Sequence, residues 1–193
     1  RIIFMGTPDF AVASLQKLVE HNYSVVAVVT APDKPAGRGL QLQQSAVKAF
    51  ALKHKLNVLQ PEKLKDPTFI HTIQQLQPDI QIVVAFRMLP KEIWSIPSKG
   101  TFNLHASLLP QYRGAAPINH AIINGEKETG VTTFFINESI DTGDVLLNTR
   151  IAINPDMTAG ELHDILMHTG AELVLQTVKA IINNTIKANP QSQ

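Results

Sequence analysis

Through its first hundred residues the chain alternates short, β-branched apolar runs with stretches of helical periodicity. This repeat restricts the fold more than any other feature. Residues 2–5, 24–30, 57–59, 80–85 and 101–106 read as strands. Between them, Thr7-Pro8-Asp9 supplies an N-cap, a proline at the first helical position and an early acid, opening a helix to about His21. Residues 31–40 form a Pro/Gly-rich loop, 45–55 a helix, Asp66-Pro67 opens another to about Gln77, and 90–96 is a short one. Strands separated by helices imply right-handed βαβ crossovers and a largely parallel, doubly wound sheet.

The second half changes style. Residues 117–125 read as a short helix, and 130–136 and 145–153 as strands joined by a compact loop, which adds antiparallel strands. Thr158-x-x-Glu161 is a capping box whose helix puts Leu162, Ile165, Leu166, Leu173, Val178 and Ile181 on its apolar side. The polar stretch 183–193, with Pro190, reads as a linker. The expectation is an α/β, Rossmann-like, doubly wound domain over residues 1–183, mostly parallel, with antiparallel strands in its C-terminal half and a linker over 184–193.

Composition excludes several function classes. At 44% hydrophobic and 17% charged, the 193 residues can build a core, which rules out disorder throughout. With 0 cysteines there is no disulfide framework, thiolate metal site or thiol nucleophile. The opening Arg1-Ile-Ile-Phe-Met-Gly6 is a short strand and turn rather than a signal peptide, and no run of about eighteen apolar residues suggests a membrane span. A reducing, cytoplasmic setting is expected. The net charge of +1 conceals an asymmetry, because residues 33–65 carry seven basic and two acidic side chains. That stretch suits either a solvated surface or an edge facing a polyanion.

A strand, a turn and a helix at the N-terminus invite a dinucleotide-binding reading, yet Gly6 stands alone with no Gly-x-Gly-x-x-Gly, and no P-loop occurs. Attention moves to Thr101-Phe-Asn-Leu-His-Ala106, which ends a strand where α/β folds gather ligands. Asn103 and His105, two apart, share one face of that strand. The plainer alternative is that Asn103 caps a turn and His105 bonds a buried carbonyl. Asp141 and Asp144, in Asp141-Thr-Gly-Asp144, provide a carboxylate that could orient the imidazole and favour its charged form, although a turn alone also explains them. The remaining histidines have no metal-like pairing, so no bound metal is expected.

These residues carry a resemblance. Phe4-Met-Gly-Thr-Pro-Asp-Phe10, Asn103-Leu-His-Ala-Ser-Leu-Leu-Pro110, Tyr112-Arg-Gly-Ala-Ala-Pro-Ile118, Thr129-Gly-Val-Thr132 and Asp141-Thr-Gly-Asp144 follow one another as in the 10-formyltetrahydrofolate-dependent formyltransferases. Pro35-Ala-Gly-Arg-Gly-Leu40 is similar to the catalytic domain of the methionyl-tRNA branch. The resemblance implies a folate formyl donor, initiator methionyl-tRNA as acceptor, no metal and no obligate protein partner. It implies Asn103 as donor to the oxyanion, His105 as imidazolium and proton relay, and Asp141 as the group holding the ring. Phe86, Arg87, Met88 and Leu89, then Ser107, Leu108, Leu109 and Pro110, then Ile136, Asn137, Glu138 and Ile140 would line the folate. Gly37, Arg38, Gly39 and Leu40 would meet tRNA.

Phe86-Arg-Met-Leu-Pro90 and Glu138-Ser139 depart from the family's usual residues. By the resemblance, the stretch Asn189-Pro-Gln-Ser-Gln193 is expected to fall about where the family's linker runs into its C-terminal β-barrel domain, a domain not expected within residues 1–193. Two other functions stay open: the same chemistry on an amino-sugar nucleotide, or a silent folate- or RNA-binding module.

Overall fold

The computed structural model describes residues 1–36 and 41–192 and divides into two compact units, Arg1–Gly100 and Thr101–Gln193. The first unit runs β1 (Ile2–Gly6), α1 (Asp9–Glu20), β2 (Val25–Val29), β3 (Lys34–Ala36), β4 (Gln41–Gln43), α2 (Ala46–Lys53), β5 (Val58–Leu59), α3 (Pro67–Gln75), β6 (Ile80–Val84) and α4 (Lys91–Trp94). Its main strands lie in the order β5-β2-β1-β6, all parallel. Strand β1, paired on both edges, is buried along its whole length, as expected where helices cover both faces of a sheet. Ser45 caps α2 by accepting the Lys48 N–H at 3.0 Å, and Asp66 caps α3 by accepting that of Thr68 at 2.8 Å.

Two expectations for this unit need correction. Pro8, not Thr7, occupies the N-cap of α1, and no side chain caps that helix. The proline ring fixes φ where the helix begins, so the chain turns in without a hydroxyl. The 31–40 loop is in part a hairpin: Lys34 pairs with Gln43 and Ala36 with Gln41. Asp33 secures its base, accepting from the Lys48 ammonium and the Gln60 amide. The proposed tRNA contacts Gly37, Arg38, Gly39 and Leu40 lie outside the described residues.

The second unit runs β7 (Thr101–His105), α5 (Pro117–Ile123), β8 (Glu128–Phe135), β9 (Val145–Ala152) and α6 (Ala159–Ile182). Its strands lie in the order β7-β8-β9, both pairs antiparallel, with His105 opposite Thr132. The capping box of Thr158 and Glu161 opens α6. That helix buries Leu162, Leu166, Leu173, Val174, Val178 and Ile181, and Thr177 meets Thr133 of β8 hydroxyl to hydroxyl at 2.8 Å. Ile165, expected on this side, is 38% exposed. It lies about 100° around the helix from Leu166, at the edge of the stripe. By length and hydropathy α6 could cross a membrane; here its apolar side packs on β8 and β9.

The α/β, Rossmann-like class read from the sequence is the class observed, with parallel strands and intervening helices in the first unit and antiparallel strands in the second. Beyond α6 the chain does not simply leave the second unit. Asn189 and Val145 exchange both backbone hydrogen bonds, at 2.8 and 2.9 Å, which lays the tail against the start of β9.

Candidate active site

Alternation along β7 buries Phe102 and Leu104 on one face and leaves Asn103 and His105 on the other. His105 is the last residue of the strand, and the loop that follows folds back around its ring. Nε2 of His105 lies 2.7 Å from the carbonyl oxygen of Tyr112, and Nδ1 lies 3.6 Å from Oδ2 of Asp141. The two side chains are only 8% and 15% exposed. Each ring nitrogen therefore faces an oxygen acceptor, a backbone carbonyl at Nε2 and a carboxylate at Nδ1. Asp141 is steadied in turn, since its Oδ2 accepts the Gly114 N–H at 2.8 Å. The Asn103 carboxamide, half-buried, makes no hydrogen bond to the described residues.

The loops that hold this pair are unusual in their backbone. Tyr112 (φ 56°), Ala116 (φ 53°) and Asp141 (φ 53°) all lie in the left-handed region, a conformation that costs a non-glycine residue about 1–3 kcal/mol. Tyr112 is anchored by its side chain: the hydroxyl donates to Glu126, accepts from Asn124 at 2.9 Å, and the ring stacks on His120. The Glu126 carboxylate raises the tyrosine's pKa above its ordinary value. The Asp141 loop closes where Phe135 N–H donates to the Asp144 carbonyl, and its turn needs Gly143, because a Cβ there would sit 1.6 Å from the Phe135 oxygen.

Thr132, buried on β8, donates to the Ser107 carbonyl at 2.7 Å and accepts the Leu109 N–H at 3.2 Å. The Ser107 hydroxyl is committed to the Gln111 carbonyl at 2.6 Å, so the side chains of this segment that remain half-exposed are Leu108, Leu109 and Pro110. Among the other residues singled out for a folate, Met88 is 66% and Ile140 60% exposed, whereas Leu89 is buried. Arg87 is bound to the carbonyls of Pro61 and Glu62 and lies over the ring of Phe86. Ile136 is half-buried and Asn137 and Glu138 exposed; Asn137 Oδ1 accepts from Ser139 N–H and Thr142 Oγ.

The structure thus brings His105 and Asp141 together with Asn103 on the same strand face, and His105 also bonds a carbonyl, as in the plainer reading of that residue. Sequence reasoning missed the Tyr112 carbonyl, the Gly114 amide and the Thr132 hydroxyl as parts of the site. All three stand in the motifs quoted above, but their roles come from backbone geometry. No group of three or more metal-ligating side chains converges among the described residues. A hollow of about 800 Å³ in the first unit, lined in part by Gln77, Asp79 and Glu92, opens at the amino end of β6; ligands of α/β sheets gather at carboxyl ends.

The chain belongs to the formyl transferase family, whose model matches residues 1–178. Its relatives include the methionyl-tRNA formyltransferase of Bacteroides fragilis, 58% identical over 193 residues, which are 100% of this chain and 60% of that protein. The methionyl-tRNA formyltransferase of Flavobacterium johnsoniae is 59% identical over 186 residues, 96% of this chain and 59% of the relative. The chain spans about 60% of the length of these curated relatives. Among solved structures, an N-formyltransferase from Helicobacter canadensis in complex with folinic acid and dTDP-3-aminofucose has a TM-score of 0.77 at 26% identity, matching 100% of this chain and 67% of that one. A phosphoribosylglycinamide formyltransferase from Anaplasma phagocytophilum, at TM-score 0.82 and 16% identity over 100% of this chain and 95% of its own, shares the fold.

Proposed function

We propose that the chain carries the catalytic apparatus for moving a formyl group from N10 of 10-formyltetrahydrofolate to the α-amine of methionyl initiator tRNA, in the cytoplasm. The observation that carries the chemistry is the His105–Asp141 pair at the end of β7, with Asn103 on the same strand face. The acceptor is taken from the relatives at 58–59% identity. Exposed Ile140, next to Asp141 in the second unit, supports the folate assignment, because it is an apolar side chain that a flat heteroaromatic ring would cover.

An α-amino group titrates near about 8, so a useful fraction is neutral at pH 7 and can attack without a covalent enzyme intermediate. Its lone pair forms the new C–N bond while the carbonyl pair moves onto oxygen. The Asn103 amide donates to that oxyanion, an interaction typically worth about 3–4 kcal/mol. His105, held between two acceptors, contributes positive charge. The ring relays the proton by giving its Nε2 proton to N10 as that bond breaks and taking one from the attacking amine in its place. This requires it to exchange the Tyr112 carbonyl for substrate, a rearrangement common between free and bound enzymes. Collapse restores the carbonyl, breaks the bond to N10, and leaves a formamide and tetrahydrofolate. Asp141 keeps the ring oriented throughout.

A second acceptor, an amino sugar on a nucleotide, is favoured by the likeness to the Helicobacter canadensis enzyme. The test is formyl transfer at low salt to methionyl initiator tRNA and to a panel of amino-sugar nucleotides, with His105→Ala beside the parent. Product on tRNA from the parent and not the variant supports the reading. Product on a sugar nucleotide alone transfers the assignment to that acceptor. Folate binding without turnover on any amine reduces the chain to a binding module.

A further inference from the structure

The two loops around His105 and Asp141 meet at one side chain contributed by the tail beyond α6. The carboxamide nitrogen of Gln191 donates to the carbonyl of Asp141 at 2.9 Å and to that of Gly143 at 2.8 Å. Its oxygen accepts from Arg113 twice, at 3.1 Å from Nε and 2.8 Å from Nη2. Gln191 is half-buried, and the tail beneath it is fixed independently by the backbone pair of Asn189 with Val145. Arg113 stands between the residue whose carbonyl holds His105 Nε2 and the residue whose amide holds Asp141 Oδ2. One amide group thereby ties the Asp141 turn to the loop that cradles the imidazole.

We infer that Gln191 is a positioning residue, setting the register of Asp141 against His105 by bridging their two loops. The physical case is that Asp141 and Tyr112 both sit in a left-handed backbone conformation, which their own local sequence does not favour. Neither loop is a regular element, so cross-links from outside must supply what a helix or strand would supply through its ladder. A carboxamide can do so because it offers two donors and an acceptor in one plane. Here the whole carboxamide is engaged, its nitrogen on the Asp141 turn and its oxygen on Arg113.

The inference concerns the site proposed above and depends on that reading only for its kinetic consequence, so the first readout is independent of activity. Amide hydrogen exchange on the full chain would follow the Gly114 N–H, which reports its bond to Asp141 Oδ2. In Gln191→Ala the protection of Gly114 is expected to fall about fivefold or more, the ordinary effect of losing a neutral hydrogen bond. Amides in the β8–β9 ladder and Val145 should stay protected. Gln191→Glu keeps an acceptor for Arg113 and loses both donors, so it should fail to restore Gly114. Unchanged Gly114 protection in Gln191→Ala, or full restoration in Gln191→Glu, would overturn the inference.

In the transfer assay, the alanine variant should lose about five- to thirtyfold in kcat, with any rise in KM for the folate smaller than that loss, since Ile140 adjoins the released turn while the main effect is misalignment of the imidazole. A rise in KM with kcat unchanged would also overturn it. Loss of Gly114 protection in a chain that transfers formyl groups to no acceptor would support the positioning role and refute the functional reading, which keeps the two failures apart.

Discussion

Thr132 on β8 and Ser107, two residues past the end of β7, are joined by a buried hydroxyl-to-carbonyl hydrogen bond of 2.7 Å, and the same hydroxyl accepts the Leu109 amide. This one side chain fixes the path of the chain as it leaves His105. Thr132→Val preserves shape and strands a buried carbonyl and a part-buried amide, so a loss of about 1–3 kcal/mol in urea unfolding is expected. Thr132→Ser should keep nearly all of it. Under the proposed reading the valine variant also binds folate more weakly, because Leu108, Leu109 and Pro110 drift. A valine variant as stable as the parent would mean that other contacts hold the loop.

Asn103 is expected to behave in the opposite way. Its carboxamide makes no hydrogen bond to the described residues, so Asn103→Ala should leave the melting temperature nearly unchanged. Under the proposed reading turnover should nonetheless fall about 10²–10³-fold, the usual effect of deleting an oxyanion donor. Thermal unfolding and single-turnover formyl transfer on the same preparation check both halves.

Gly143 is constrained by closeness rather than by chemistry. A methyl group there would lie 1.6 Å from the Phe135 oxygen, well inside any tolerable contact. Gly143→Ala must push the Asp141 turn off β8, with a stability loss of at least about 1–3 kcal/mol. The His105 side-chain NMR signals should shift with it, since the carboxylate opposite the ring moves.

Two charged contacts give pH effects of opposite sign. Hydrogen bonds from Lys48 and then Gln60 hold Asp33 below its ordinary carboxylate range. A lowered folded-state value contributes stability above the unfolded value of about 3.9, and that contribution disappears as pH falls through the lower folded value. Asp33→Asn should flatten the acid limb of a urea-midpoint profile. The hydrogen bond to Glu126 raises Tyr112 above 10.0, so its contribution is present below that value and is lost as pH rises through the higher folded one. Tyr112→Phe should flatten the alkaline limb and leave the acid limb alone.

Much of the local architecture was legible in the residues themselves. Ser45, Asp66 and the Thr158–Glu161 box mark helix starts because a capping side chain bonds amides two or three residues away, wholly within the local sequence. The parallel strands announce themselves as apolar runs because helices bury both faces. The β3–β4 hairpin left no comparable trace: each strand is only three residues long, and Pro35 within it obscures any strand signal.

The site divides along the same line. Chemistry-bearing residue types and their order along the chain are properties of the sequence, and with the motifs around them they were enough to suggest an imidazole, a carboxylate and an amide in one family pattern. Which atom meets which was decided by tertiary structure. His105 and Asp141 are brought to 3.6 Å by a strand end and a hairpin loop, and the second ring nitrogen is taken by a backbone carbonyl that has no side-chain signature. Gln191 is the clearest case: in sequence it is one polar residue in a polar tail, and only the folded chain places it across two loops. Short-range hydrogen bonds are encoded by neighbours, whereas contacts across fifty or more residues depend on where the sheet, the turns and the last helix have already put the backbone.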